Sequence, residues 1–252
     1  MGTMPERVVT ACVLIIGNEI LSGRTQDTNL NHIANVVGES GVRVREARVI
    51  PDTEDAIVGA VNEVRAKYDY VFTTGGIGPT HDDITADCIA KAFGVPLVID
   101  ETIAERIRGR PSPPEVMASR MRMARIPEGA ELVENATGGP QGFSIGNVYV
   151  MAGIPSVMRA LISTVRLEGG AVVQSRSVTA YLGESQVATG LEGIQDRYAD
   201  VDIGSYPFMD ADGYGTTLVI RGTDAGTLDR VLDEIKQLIV DAGETPRNVV
   251  AE

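Results

Sequence analysis

Three strand-like segments in the first 75 residues alternate with segments of helical spacing, and this alternation constrains the fold more than any other feature of the chain. Val8 to Ile16 is an unbroken β-branched and aliphatic run that stops at Gly17, the pattern of a parallel strand buried on both faces. From Thr28 to Glu39, Leu30, Ile33, Ala34, Val36 and Val37 recur near the helical period, and Gly41 supplies a stop. Val42 to Ile50 reads as a second strand. A helix capped by Thr53 or Asp52 follows, with Ala56, Ile57, Ala60, Val61 and Val64 on one face. Tyr68 to Thr74 is the third strand, ended by Gly75, Gly76 and Gly78, and Asp83 to Phe93 resumes helical spacing. The order predicts a mostly parallel, right-handed α/β sheet with helices on both faces, three layers in all. Ligands of such sheets sit beyond the carboxyl ends of strands where strand order reverses, which singles out Gly17 to Gly23 and Gly75 to Thr85.

Thr102 to Ala124 reads as two helices parted by Pro111, Ser112, Pro113 and Pro114. Short strands are expected at Glu131 to Asn135, Phe143 to Ile145 and Val148 to Met151, then a helix from Met158 to Leu167. Glu168, Gly169 and Gly170 mark a boundary, giving a large domain over 1–169 and a small one over 170–252. The small domain reads strand (Ser175 to Leu182), helix (Glu184 to Tyr198), strand (Asp202 to Tyr206), strand (Thr216 to Arg221) and helix (Thr227 to Asp241), a two-layer, KH-like α+β unit.

The chain carries 35 acidic against 22 basic side chains over 252 residues, a formal charge of −13. That balance argues against nucleic acid and anionic membrane as partners, because phosphate polymers demand a basic face. A small phosphate-bearing ligand held by backbone amides and a divalent cation stays compatible with it. Cys12 and Cys88 imply no disulfide framework, and a reduced cytoplasmic protein is expected. Met1 to Thr10 reads as an untargeted end, and every apolar run falls far short of the ~20 residues that span a bilayer.

Thr73 to Thr85 holds the densest chemistry. Gly75, Gly76 and Gly78 let the backbone approach a ligand and aim N–H groups at an anion, aided by the following helix start. The spacing matches neither the P-loop nor the dinucleotide fingerprint. Asp82 and Asp83 offer acceptor-only groups suited to a hard cation bridging phosphate oxygens. The same residues also serve as plain helix caps and turn formers. In the neighbouring loop, Glu19 suits a metal ligand or a base for water and Ser22 a phosphate contact, against a plain turn with Asn18 left-handed. Asn29 and Asn31 extend the rim or merely cap a helix, and His81 either meets a ligand or orders its loop. Two histidines exclude a His-rich zinc site, and no Gly-x-Ser-x-Gly elbow is present. Arg106, Arg108, Arg110, Arg120, Arg122 and Arg125 are the one basic concentration, either steering phosphates or forming a solvated helix face.

Gly17-Asn18-Glu19-Ile20-Leu21-Ser22-Gly23, taken with Gly75-Gly76-Ile77-Gly78-Pro79-Thr80-His81-Asp82-Asp83-Ile84-Thr85, resembles the paired motifs of the molybdopterin-binding domain family, in its CinA-like branch. Asn135 to Phe143 and Met151 to Met158 resemble two further segments of that branch, with Ala152 and Val157 standing where the family pattern has Pro and Glu. Tyr181 to Ser185 and Ser205 to Pro207 extend the resemblance into the small domain. The resemblance implies a MoaB/MogA-like α/β domain, assembly as dimers or trimers, and a nucleotide or pterin ligand. It also implies hydrolysis of pyrophosphate links in ADP-ribose or FAD with Mg, Mn or Co. On that reading Asp82 and Asp83 hold the cation and Glu19 and Asp83 are catalytic. Gly17, Asn18, Ser22, Gly23, Thr74, Gly75, Gly76, Gly78, Pro79, Thr80 and Thr85 line the ligand. The alternative is a non-catalytic molybdopterin- or nucleotide-binding protein. Full-length members add an amidase domain, whose activity is not expected of a chain ending at Glu252.

Overall fold

The computed structural model describes residues 7–251, so residues 1–6 of the expected untargeted end lie outside it. The chain forms two compact units, Met1–Gly170 and Ala171–Glu252. The first opens with β1 (Val9–Ile16), a one-turn helix α1 (Asn18–Leu21), α2 (Asn29–Glu39), β2 (Val42–Ile50), α3 (Glu54–Lys67) and β3 (Tyr70–Thr74). Next come α4 (Thr85–Phe93), β4 (Leu97–Ile99), α5 (Glu101–Arg108), α6 (Pro114–Met121), a 3₁₀ turn at Arg122–Ala124 and β5 (Arg125–Pro127). The unit closes with β6 (Glu131–Val133), β7 (Gly142–Ile145), β8 (Val148–Met151) and α7 (Pro155–Ile162).

The main sheet has strand order β2-β1-β3-β8-β7-β6. Its first four strands are parallel and β7 runs antiparallel to both β8 and β6, so the sheet is mixed. The period-two alternation of β1 explains why the whole strand is apolar. Cys12, Leu14 and Ile16 face a core shared with Ile57 and Val61 of α3 and Cys88 and Ile89 of α4. Ala11, Val13 and Ile15 face the opposite core, with Ile33 and Val37 of α2 and Met158 and Leu161 of α7. Each fully buried aliphatic side chain contributes about 1.5–3 kcal/mol of transfer free energy, so both faces hold the strand. The chain leaves β1 toward β2 on one side and returns to β3 on the other. The switch point therefore falls between the carboxyl ends of β1 and β3.

Several expectations need correction. The helix read from Asp83 begins at Thr85, and neither Asp82 nor Asp83 is in its first turn, because Asp83 folds back onto Thr80 instead of capping forward. Thr53 is the N-cap of α3 without a side-chain cap bond, while Asp52 accepts from the Asn18 amide. The helix expected from Met158 starts at Pro155, a residue whose fixed φ suits a first turn. The three-residue pair β4 and β5 carries too little periodicity to be read from sequence.

The second unit contains β9 (Gln174–Ala180), α8 (Glu184–Arg197), β10 (Asp202–Asp210), β11 (Gly213–Gly222), α9 (Ala225–Asp241) and β12 (Arg247–Ala251). Its antiparallel sheet, β10-β11-β9-β12, packs Val178, Leu218 and Ile220 against Val187 and Ile194 of α8 and Leu228, Val231 and Ile235 of α9. The strand β12 was not expected, since all five of its residues are exposed and none carries a core pattern. With it the unit completes the β-α-β-β-α-β order of ferredoxin-like folds.

Candidate functional site

Strand ends β1, β3 and β8 converge on glycines. Gly75 adopts φ +105°, and a Cβ there would lie 2.1 Å from the Ile16 carbonyl oxygen. Only glycine lets these two strand ends approach so closely. The Gly75 N–H donates to the Met151 carbonyl at 3.1 Å, which extends the sheet by one rung. This corrects its expected role, since an amide committed to β8 is not aimed at a phosphate.

Gly76 then turns into the left-handed region at φ +70°. Thr85 closes the loop from the other side. Its hydroxyl donates to the Gly75 carbonyl at 2.9 Å and its amide to the Gly76 carbonyl at 3.0 Å. Thr85 is fully buried. Its expected place in the ligand cradle is therefore corrected to that of a residue holding the cradle's shape. The amides of Gly76 and Gly78 meet no protein acceptor among the described residues and stay available to an anion.

The tip of the loop gathers carboxylates. Asp83 Oδ2 accepts from the Thr80 amide at 2.8 Å and from its hydroxyl at 2.5 Å, and Asp82 Oδ1 lies 2.6 Å from the same hydroxyl. One hydroxyl proton serves one acceptor at a time, so two carboxylate oxygens converge on a single donor. The Thr80 hydroxyl holds the Asp82 carboxyl below the ordinary carboxylate range, with His81 adding a weaker pull. Thr80, His81 and Asp82 are exposed and Pro79 and Asp83 are half-buried, so the cluster is open to a ligand. No group of three potential metal-ligating His, Cys, Asp or Glu side chains occurs among the described residues. The donor set present is two hard carboxylates, the kind that Mg²⁺ shares with water and substrate phosphates.

On the β1 side, Gly17 is buried, its amide donating to Ile50 at 3.1 Å, and the Glu19 carboxylate folds back over it. Glu19 lines a cavity of about 60 Å³ with Thr74, Asn29 and Gly153. Asn29 is 4% exposed and donates to the Gly153 carbonyl at 2.8 Å, while its Oδ1 is buried with no partner among the described residues. An orphaned acceptor of this kind carries a desolvation penalty unless a ligand or water reaches it. From the sequence Asn29 is either a rim residue or a helix cap; the signal that favours the rim is its position at the first turn of α2.

Other expected ligand residues do different work. The Ser22 hydroxyl donates to the Glu19 carbonyl at 3.3 Å, a bond local to α1, and Gly23 is an exposed turn glycine at φ +72°. Asn18 pairs with Asp52 and is not left-handed. Asp82 and Asp83 line neither the Glu19 cavity nor the larger one beside Ile77. Glu19 and the two aspartates stand on the loops that leave the neighbouring strands β1 and β3.

Comparison with known proteins gives a matching result for both units. Residues 12–167 match the model of a probable molybdopterin binding domain, and residues 172–245 match that of the FAD synthase middle domain. A protein of Archaeoglobus fulgidus is 31% identical over 91% of this chain and 97% of its own length. A CinA-like protein of Citrifermentans bemidjiense is 34% identical over 89% of this chain, which spans 57% of that relative. The crystal structure of CinA from Thermoplasma acidophilum, a protein of unknown function, aligns with 62% of this chain and 95% of its own at TM-score 0.56 and 35% identity.

Proposed function

Because the chain belongs to the probable molybdopterin-binding domain family, among its CinA-like members, we propose that it is a metal-dependent nucleotide pyrophosphatase acting on ADP-ribose or FAD-like dinucleotides. One observation carries this reading: the uncommitted Gly76 and Gly78 amides stand in the same loop as the converging carboxylates of Asp82 and Asp83. The amides bind non-bridging oxygens of the pyrophosphate. Asp82 and Asp83 hold a divalent cation, which when bound neutralises phosphate charge and favours departure of the phosphate leaving group. Thr80 keeps the two carboxylates in register. Glu19 accepts the proton of a water whose oxygen attacks one phosphorus. The bond from that phosphorus to the bridging oxygen breaks, and the products from ADP-ribose are AMP and ribose 5-phosphate. Preorganised donors aimed at developing charge are the usual largest contribution to such a rate.

The test is release of AMP from ADP-ribose or FAD with Mg²⁺, Mn²⁺ or Co²⁺, by the parent and by Asp83→Ala. Absence of AMP with every pair, or an Asp83→Ala variant as active as the parent, removes the proposal. A second reading, a non-catalytic molybdopterin- or nucleotide-binding protein, draws on Asn29 Oδ1 in the Glu19 cavity, a buried acceptor with no partner among the described residues that a bound donor satisfies. Calorimetric binding of pterin or adenylate without turnover is its mark.

A further inference from the structure

A cavity of about 560 Å³ in the first unit lies between α5, α6 and the loop from Glu134 to Gln141, and Ile77 of the glycine loop forms part of its wall. Three arginines line it, Arg106, Arg110 and Arg120, against a single acidic residue, Glu134. In a chain of net charge −13 this is a local reversal of sign, and a concave wall of one sign focuses its field on ions of the other.

The partners of these arginines show which charges are free. Arg106 is spent in part on Glu134 at 3.2 Å. Arg120, half-buried, donates to the Ser112 hydroxyl at 2.9 Å and toward the Arg110 carbonyl at 3.4 Å, neutral acceptors that orient the guanidinium without discharging it. Arg110 has no carboxylate within ion-pair distance among the described residues. The segment carrying them is stiffened by Pro111, Pro113 and Pro114, which lowers the entropic cost of holding two cations together. Opposite, the Asn135 side chain donates to the Pro140 carbonyl at 2.9 Å and accepts from the Thr137 amide at 2.9 Å, bracing the facing loop. Ile77, Ile103, Ile107 and Met123 supply the apolar part of the lining.

The geometry points to an organic-phosphate site in this cavity, with Arg110 and Arg120 on the phosphate and the apolar wall against a planar body of nucleoside type. Its volume lies within the roughly 300–1,000 Å³ of small-molecule pockets. Through Ile77 the cavity adjoins the glycine loop. It therefore serves as the subsite for one half of the dinucleotide, an assignment that rests on the proposed function for its ligand class alone.

Calorimetric titration with AMP at low and high salt tests the site on the whole chain, comparing the parent with Arg110→Ala, Arg120→Ala and Arg110→Lys. Loss of one charge-assisted bond predicts affinity about tenfold weaker or more in each alanine variant, with a flatter salt dependence and partial recovery in Arg110→Lys. Thermal melting of Arg110→Ala should match the parent, since Arg110 is exposed. No AMP binding by the parent, or an affinity in both alanine variants equal to the parent's, overturns the site. ADP-ribose hydrolysis by the same preparations separates the two ideas. Arginine-dependent binding without turnover keeps the subsite and loses the pyrophosphatase, whereas turnover with unchanged KM in both alanine variants does the reverse.

Discussion

The Thr85 hydroxyl, fully buried, donates to the Gly75 carbonyl at 2.9 Å and so ties the first residue of α4 to the end of β3 ten residues earlier. The glycine loop is a staple between a strand and a helix, and its tip is free because its base is locked.

Thr85→Val keeps the shape and removes the donor, leaving a carbonyl without its side-chain partner in a dry setting. The expected loss is about 1–3 kcal/mol of stability, read from denaturant midpoints, and Thr85→Ser should recover most of it. A Thr85→Val midpoint equal to the parent's would show that the staple carries no stability.

Glycine substitutions should rank by what a Cβ would meet. Gly75→Ala places it 2.1 Å from the Ile16 carbonyl oxygen at φ +105°, whereas Gly23→Ala meets nothing within 4 Å at φ +72°. The second carries only the left-handed backbone strain of about 1–2 kcal/mol, and the first adds a clash that must part β1 from β3. Thermal melting of the two variants checks the order; equal melting temperatures would contradict the close approach.

Cys12 and Cys88 are buried, and burial pushes each thiol up to about 11. A folded state that favours the protonated thiol keeps that stability in full below the ordinary thiol pKa of ~8.5 and loses it as pH rises toward 11. Thiol reagents at pH 8 should label neither residue until denaturant is added, and rapid native labelling of either would count against the burial.

Glu46 accepts from the Tyr68 hydroxyl, Lys67 and Arg48, and these bonds, Tyr68 foremost, hold its carboxyl down to about 2. A depressed folded pKa gives stability that is present above the unfolded value of ~4.3 and lost as pH falls through it toward 2. Acid unfolding of Glu46→Gln should therefore show a shallower slope than the parent between those limits. Superimposable curves would mean the network is solvated.

The strand that could be read best was β1, because burial on both faces forces an unbroken apolar run that needs no partner to be recognised. The pair β4 and β5 and the strand β12 are not legible for the converse reason: three residues in each of the first two, and five exposed ones in the last, have no period to detect. Gly75, Gly76 and Gly78 are legible as a glycine loop after a strand, yet their amides differ in role because Met151, 76 residues further along the chain, claims that of Gly75. Likewise, Asp82 and Asp83 were legible as carboxylates, while their convergence on Thr80 was not, since it arises from a turn that delays the helix to Thr85.

By itself the sequence determined the alternating α/β order, the two loops at the switch point and the acidic charge, all properties of local periodicity and composition. The tertiary structure decided which polar groups are already spent. It committed Thr85 and the Gly75 amide to the scaffold, left Asn29 Oδ1 without a donor among the described residues, and turned an arginine-rich helical stretch into the wall of a cavity. Hydrogen bonds and counter-charges are satisfied between segments remote in the chain, so the groups left over for a ligand emerge only once those segments meet.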